Sequence, residues 1–388
     1  MDFRLNEEQM EIKRAAREFA EKEFTSELAR RCDEKHEFPR DLYKKAAKLG
    51  FICPHFDEEY GGQGFGFLEA ILVFEEFCRV GSTLGEAIYM ASFGSDYLLL
   101  FGTTDQKKKY LPKVAKGEYL SSGAITEPNH GSDILTLDTV AKKEGDYWII
   151  NGTKTFISNA PIADFIVVLC QTNPELKHRG QTLFVVDKGT EGLDVTQLKG
   201  KMGTRATING EISFDNVRVS KDALVGEENK GFYHTLTFLD IRRMMIGGVA
   251  VGMAQGAFER ALKYSKQRVQ FGRPISKFQA IQHKLADMAT KIEAARQLVY
   301  KAAWCLDNRS SLSLSPRELS KICSMAKLFA TDTAVETITE ALQIFGGYGY
   351  FKDYDLERYY RDIRITQIYE GTNEIQRNTI FGCISEGA

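Results

Sequence analysis

The spacing of apolar positions changes twice along this chain. From residue 1 to about 120, apolar side chains recur every three or four positions, the period of a helix buried on one face. From about 121 to 230 they alternate or gather in short β-branched and aromatic blocks, and from about 231 to 388 the helical period returns. Asn6-Glu7-Glu8-Gln9 predicts a capping box, with Met10, Ala16, Phe19 and Ala20 at helical spacing behind it. Tyr60-Gly61-Gly62-Gln63-Gly64-Phe65-Gly66 breaks the pattern ahead of a helix around Leu68, Ile71, Leu72 and Phe77. Ala87 to Leu100 reads as one buried helix ended by Gly102-Thr103-Thr104-Asp105, and the Lys-rich stretch after it as a short solvated helix before Pro112.

In the middle segment, Tyr147-Trp148-Ile149-Ile150 and Lys154-Thr155-Phe156-Ile157 flank Asn151-Gly152, a type I′ hairpin signal. Phe165 to Leu169, Leu183 to Val186, Ile212-Ser213-Phe214 and Val217-Arg218-Val219 have strand composition. They predict a small antiparallel sheet or barrel. Further on, Ile281, Leu285, Met288, Ile292, Ala295, Leu298, Val299 and Ala302 form one helical stripe. Ile322, Met325, Phe329, Ala334, Ile338, Ala341 and Phe345 form another, and such stripes are core or helix contact. Gly248 and Gly252, four apart, predict close approach of a second helix and are no P-loop, since no Gly-Lys-Ser/Thr follows. The fold class is α+β: an N-terminal helical domain (1–120), a middle antiparallel β domain (121–230) and a C-terminal helical domain (231–388).

Composition narrows the chemistry. The 388 residues, 43% of them hydrophobic, can bury a large core. A net charge of −2 offers no basic stripe, so nucleic acid is not an expected partner. Seven cysteines, scattered from Cys32 to Cys383 with no CxxC, are neither a disulfide framework nor a zinc site, and no metal is expected. This usage fits a reducing cytoplasm or an organelle matrix. The first helix is charged and amphipathic, without the apolar region of a secretory signal, and no apolar run approaches the length of a membrane span. No GxGxxG follows a strand, which argues against a Rossmann nicotinamide site.

The most informative stretch is Gln367-Ile368-Tyr369-Glu370-Gly371-Thr372-Asn373-Glu374-Ile375-Gln376-Arg377. It reads as a loop turning into a helix capped by Thr372. A Glu in such a place is usually solvated or favoured by the helix dipole. Tyr-Glu-Gly-Thr followed by Ile-Gln-Arg, however, resembles the C-terminal signature of the acyl-CoA dehydrogenase family. Thr126-Glu127-Pro128-Asn129-His130-Gly131-Ser132-Asp133, Arg268-Val269-Gln270-Phe271-Gly272 and Gln343-Ile344-Phe345-Gly346-Gly347-Tyr348-Gly349 match the same family in the same order, so the resemblance covers essentially the whole chain.

The resemblance implies an FAD-dependent acyl-CoA dehydrogenase. Glu370 would remove the α-proton of an acyl-CoA thioester, and the β-hydride would pass to flavin N5. The enolate oxygen would be held by the Glu370 N–H and a flavin hydroxyl. Some branches of the family take the base from another helix; the matching position here is Arg242, which cannot act as a base at neutral pH. By the same carry-over, Ile125, Thr126, Gly131, Ser132, Phe156, Ser158, Thr372 and Glu374 would contact FAD. Phe156 and Ser158 stand where many members have Trp and Thr. Arg268, Phe271, Gln343 and Gly347 would reach the cofactor of a neighbouring subunit in a homotetramer, a dimer of dimers. Taken alone, Arg268 to Gly272 reads as a helix end with a Gly C-cap. Ser132, Asp240, Arg243, Tyr369 and Gly371 would meet the acyl-CoA, although Asp240 and Arg243 also read as a cap and a helix-end ion pair. His130 stands where small residues are common, and no proton transfer is assigned to it. Electrons would leave to an electron-transfer flavoprotein. An acyl-CoA oxidase and a non-catalytic flavoprotein relative are the alternatives.

Substrate choice would rest on the helix from about Ala87 to Tyr97 and its preceding turn. Tyr89, Met90 and Phe93 would shorten the cavity, favouring short, branched or alicyclic acyl groups such as cyclohexane- or cyclohexene-carboxyl-CoA. Glu86 is either a solvated carboxylate at a helix start or a group at the pocket floor that binds a polar substituent or acts as a second base in a 1,4-dehydrogenation.

Overall fold

The structure, a computed structural model, describes residues 4–385. Helices α1 (Glu7–Glu23), α2 (Ser26–Lys35), α3 (Arg40–Lys48), α4 (Phe67–Val80), α5 (Ser82–Met90), α6 (Ser95–Phe101) and α7 (Thr104–Ala115) come first. The capping box forms as predicted: Asn6 Oδ1 accepts from the Gln9 N–H at 2.8 Å, and the Asn6 N–H donates to Gln9 Oε1 at 3.0 Å. Ala16, Phe19 and Ala20 are buried, but Met10, one turn from the helix start, is exposed. The expected single helix from Ala87 to Leu100 is two helices, because the chain turns between α5 and α6 and an added Cβ at Gly94 would lie 2.2 Å from the Ser122 carbonyl oxygen. Pro112 does not end α7; the helix runs through it to Ala115.

Strands β1 (Ser121–Ala124), β2 (Val140–Glu144), β3 (Tyr147–Ser158), β4 (Phe165–Gln171), β5 (Gln181–Asp187), β6 (Leu193–Leu198), β7 (Asn209–Ser220) and β8 (Leu224–Val225) make one sheet. Its order is β6-β7-β3-β2-β4-β5-β8, with β1 beside β4. Most pairs are antiparallel, but β1 and β2 each run parallel to β4, so the sheet is mixed. The predicted hairpin at Asn151-Gly152 does not form. β3 is continuous through both residues, and the pairing with β7 slips there, with Gly152 at φ 144. The Asn-Gly pair is a bulge; the turn falls earlier, at Gly145-Asp146, between Glu144 and its partner Tyr147. Ile212 to Val219 is likewise one strand rather than two. β4 is apolar from Phe165 to Cys170 because both faces are covered. Phe165, Val167 and Leu169 join the core shared with the helices, and Ile166, Val168 and Cys170 join a second core within the sheet.

The chain then forms α8 (Gly231–Gln267), a two-stranded ribbon of β9 (Val269–Gln270) and β10 (Arg273–Pro274), α9 (Gln279–Asp307), α10 (Pro316–Phe345), α11 (Leu356–Ile363) and α12 (Asn373–Ser385). α8 packs on α4 at backbone distance. A Cβ at Gly252 would lie 2.2 Å from the Glu75 carbonyl oxygen, and one at Gly248 would lie 3.0 Å from Ile71 Cγ2. The α9 stripe is buried along most of its length, whereas Met325 and Phe329 of the α10 stripe are surface-exposed. No helix among the described residues is long and apolar enough to cross a membrane.

Candidate active site

Glu370 sits on a strained turn. It has φ 55 and Gly371 has φ 86, so both are left-handed. For a residue with a side chain this costs on the order of 1 kcal/mol, and it persists only where the surroundings enforce it. Two side chains do so. Gln376 Nε2 donates to the carbonyls of Gly371 at 2.8 Å and Glu370 at 3.2 Å. Lys327 Nζ, from α10, donates to the Gly371 carbonyl at 2.9 Å and to Asn373 Oδ1 at 2.7 Å. Asn373 Nδ2 donates onward to Thr331 Oγ1 at 2.9 Å and Asp332 Oδ1 at 2.7 Å. Thr372 Oγ1 accepts from the Ile375 N–H at 3.3 Å and starts α12. The Glu370 N–H has no hydrogen-bond partner among the described residues.

Protein packs densely around the Glu370 carboxylate while leaving the residue partly open to solvent. Lost hydration raises its pKa above the ordinary value; Arg242, Lys327 and Arg243 act against that rise. Arg242 is fully enclosed. Its Nη1 donates to Asp96 Oδ2 at 3.0 Å, and its guanidinium lies 4.3 Å from the Tyr89 ring centre and 4.5 Å from that of Phe93. His55 Nε2 lies 3.0 Å from Asp96 Oδ1. Arg243 Nη1 donates to Asp240 Oδ1 at 2.8 Å, and the Ser320 hydroxyl donates to Asp240 Oδ2. This pair lies inside α8, buried, not at a helix end.

Tyr89 and Tyr369 bring hydroxyls that are buried and have no partner among the described residues. Burial, then the neighbouring Glu86, Tyr89 and Glu370, pushes the Tyr369 hydroxyl up, which sets these four residues within electrostatic reach of one another. Glu86 is not a solvated carboxylate. It is 2% exposed, accepts from the Thr207 hydroxyl, and is pushed up to about 7 by burial.

A second group of candidate residues surrounds the end of β1. The Thr155 N–H donates to the Thr126 carbonyl at 2.9 Å, which ties the Ile125-Thr126 segment to β3. Phe156 has φ 60 and is 70% exposed; Ser158 is half-buried beside it in sequence. Gly131 and Ser132 lie on an exposed loop, and a Cβ at Gly131 would meet nothing within 4 Å. Sequence reasoning missed what anchors this segment: Lys154 Nζ, fully buried, donates to Glu127 Oε1 at 2.8 Å and the Ile125 carbonyl at 2.9 Å. Glu127, His130 and Asp138 come within metal-ligand range of one another. Glu127 is already committed to Lys154 and to the N–H groups of Asp138 and Thr139, so the group is an anchoring hub. An exposed ring, flanking hydroxyls and a loop of backbone donors suit a planar cofactor with an anionic tail.

Arg268, Phe271, Gln343 and Gly347 lie elsewhere. Arg268 is roughly 25 residues beyond Arg243 along α8, about 37 Å at the helical rise. With Tyr264, Phe345, Gly347 and Tyr348 it lines a cavity of about 560 Å³, its guanidinium 5.3 Å from the Tyr348 ring centre. Gln343 and Gly347 are exposed, and Phe271 is 93% exposed. Gly272 is not a helix C-cap. α8 ends before it, and Phe271 (φ 51) with Gly272 (φ 77) forms the two-residue turn between β9 and β10.

Comparison with known proteins agrees with this architecture over its whole length. Three family models match in order: the N-terminal domain of acyl-CoA dehydrogenase at residues 6–118, the middle domain at 122–217 and the C-terminal domain at 229–382. A 3-(aryl)acrylate reductase of Clostridium sporogenes is 43% identical, covering 95% of this chain and 96% of its own. Subunit CarC of the caffeyl-CoA reductase-Etf complex of Acetobacterium woodii is 40% identical, covering 98% of both chains. The solved butyryl-CoA dehydrogenase of Megasphaera elsdenii superposes with a TM-score of 0.93 at 37% identity, covering 99% of this chain and 100% of that one. The chain belongs to the acyl-CoA dehydrogenase family and is an oxidoreductase of that family.

Proposed function

We propose that the protein interconverts an acyl-CoA and its α,β-enoyl-CoA, with Glu370 handling the α-proton and FAD as cofactor. One observation carries this reading: a carboxylate desolvated by the protein packed around it and an unpartnered N–H belong to the same strained residue. In the oxidative direction a Glu370 carboxylate oxygen takes the α-proton, and the Glu370 N–H donates to the thioester oxygen as negative charge grows there. FAD, when bound, supplies the acceptor for the β-hydride. Ile125, Thr126, Gly131, Ser132, Phe156, Ser158, Thr372 and Glu374 would hold it, and Ser132, Asp240, Arg243, Tyr369 and Gly371 would bind the acyl-CoA. Arg268, Phe271, Gln343 and Gly347 would serve the site of a neighbouring copy, a reading supported by the stretch of α8, about 37 Å at the helical rise, that separates Arg268 from Arg243. An electron-transfer flavoprotein is the proposed redox partner, supported by the Etf complex in the name of the caffeyl-CoA relative.

The acyl group is short, branched or cyclic, a reading supported by the aromatic wall of Tyr89, Phe93, Tyr97 and Phe238. Glu86 and the two free tyrosine hydroxyls suit a polar substituent on it. The names of the two reductase relatives favour a second direction, reduction of an unsaturated acyl-CoA, in which protonated Glu370 returns its proton to the α-carbon. A panel tests both. Butyryl-, palmitoyl-, isobutyryl-, cyclohexene-carboxyl- and phenylpropionyl-CoA are mixed anaerobically with oxidised enzyme, and the matching enoyl-CoAs with reduced enzyme, following flavin absorbance for wild type and Glu86→Gln. Long straight chains as the best substrates would refute the short-pocket reading. Rates untouched by Glu86→Gln would remove Glu86 from substrate recognition.

A further inference from the structure

Lys327 is buried at 0% exposure at a core-facing position of α10, where Cys323, Ala330 and Ala334 mark the same face. Both of its hydrogen bonds go to the turn that carries Glu370: one to the Gly371 carbonyl and one to Asn373, which starts α12. An ammonium has three donors, and a buried one is costly unless it is paired. The charged groups that act on it are Glu370 and Glu374 from the C-terminal turn and helix, Arg243 from α8 and Asp332 from α10 itself.

We propose that Lys327 is a positioning residue for the α-proton step: its ammonium holds the left-handed Glu370–Gly371 turn and biases Glu370 toward the ionised form. The inference rests on Glu370 being the base. Geometry gives Lys327 two effects at once. It fixes the backbone that aims both the carboxylate and the Glu370 N–H, and it adds a positive charge that lowers the Glu370 pKa against desolvation. Gln376 shares the first effect, since its amide donates to the same carbonyl, but not the second.

Burial lowers the Lys327 pKa to about 7, Glu370 opposing that shift. Since the folded pKa lies below the unfolded one, the native state has shed this proton between about pH 7 and 10 while the unfolded chain keeps it. This group's contribution to stability therefore rises with pH across that window.

The test uses FAD-loaded wild type, Lys327→Met, Lys327→Arg, Gln376→Leu and Glu370→Gln. Lys327→Met is expected to keep FAD and to melt no lower than wild type at pH 6. It should lose roughly 10²-fold in kcat, the scale of a slightly misplaced reacting group, with a much smaller change in KM. The wild-type kcat profile is expected to show an ionisation near pH 7 that vanishes in Lys327→Arg, whose charge does not titrate there, while activity largely survives. Gln376→Leu should keep that ionisation. The melting difference between wild type and Lys327→Met should change between pH 7 and 10. Near-wild-type kcat in Lys327→Met overturns the proposal, as does an ionisation near pH 7 that persists in Lys327→Arg. If Lys327→Met does not fold, the Lys327→Arg and Gln376→Leu profiles decide alone. Full activity in Glu370→Gln defeats the base assignment instead, whatever Lys327 does.

Discussion

Two turns in this molecule share one backbone shape and differ in everything around it. Phe271–Gly272 and Glu370–Gly371 each put a large side chain and then a glycine into the left-handed region, with φ 51 and 77 in the first and 55 and 86 in the second. The first is a hairpin tip. Its backbone belongs to a two-stranded ribbon, and its ring is 93% exposed, touching only the edge of Phe278 among the described rings. The second is held by Lys327 and Gln376, with Asn373 accepting from Lys327, and the charges of Arg242 and Arg243 act on its carboxylate. A strained turn is therefore not itself a catalytic device. Under the proposed function the bracing makes the second turn one, because bracing aims a carboxylate and an N–H and sets the charge around them.

Removing the carboxylate should separate the turns most sharply. Glu370→Gln should lower the rate of flavin reduction by acyl-CoA by about 10² to 10⁴ or more, measured by anaerobic stopped flow, with FAD retained. The same variant should melt higher at neutral pH. Folding raises the Glu370 pKa, so the native state keeps a proton that the unfolded chain loses as pH rises past the ordinary carboxylate range. Stability from this group is present at low pH and lost through that window, and the amide removes the loss. For the same reason the acid limb of the wild-type rate profile should fall above the ordinary carboxylate range.

Arg268→Ala should act at the other turn's end of the molecule. It is expected to lower FAD occupancy and weaken assembly together, read by absorbance and light scattering. A stable, flavin-loaded monomer would break the idea that this region serves a neighbouring copy.

Adding one methyl group tests the bracing itself. A Cβ at Gly371 would lie 2.7 Å from Gln376 Nε2, whereas one at Gly272 would meet nothing within 4 Å. Gly371→Ala should cost roughly 1–3 kcal/mol of stability, backbone strain plus a displaced hydrogen bond, and should reduce kcat. Gly272→Ala carries the backbone strain alone, on the order of 1 kcal/mol, and should lower kcat far less than Gly371→Ala. Equal melting shifts for the two would show that the Glu370 turn is no more tightly held than a hairpin tip.

These turns also mark where sequence reasoning succeeded and failed. Asn151-Gly152 carried the hairpin signal, yet β7 pairs along the whole of β3 and absorbs the extra residue as a bulge. Phe271-Gly272 carried no such signal, yet α8 stops there and the chain has room to double back. Local preference lost to long-range pairing in the first case and to helix termination in the second. Glu370 was singled out as the candidate base through motifs in register, and Arg242 was set aside as a base without its stack on Tyr89 and Phe93 being visible. Lys327 was missed, although a lysine at a core position of the α10 stripe was a signal available to period counting.

The order of helical, sheet and helical segments, the close approach at Gly252 and the capping box at Asn6 were all settled by the chain alone. Each depends on period, on the lack of a Cβ or on neighbours three residues apart. The charge around Glu370 was settled only by folding. Arg242 and Arg243 come from α8, Lys327 from α10, and Glu86 and Tyr89 from α5, and their charges act on one another only because the fold gathers them. That mutual dependence acts across the folded interior, between residues that no sequence spacing connects.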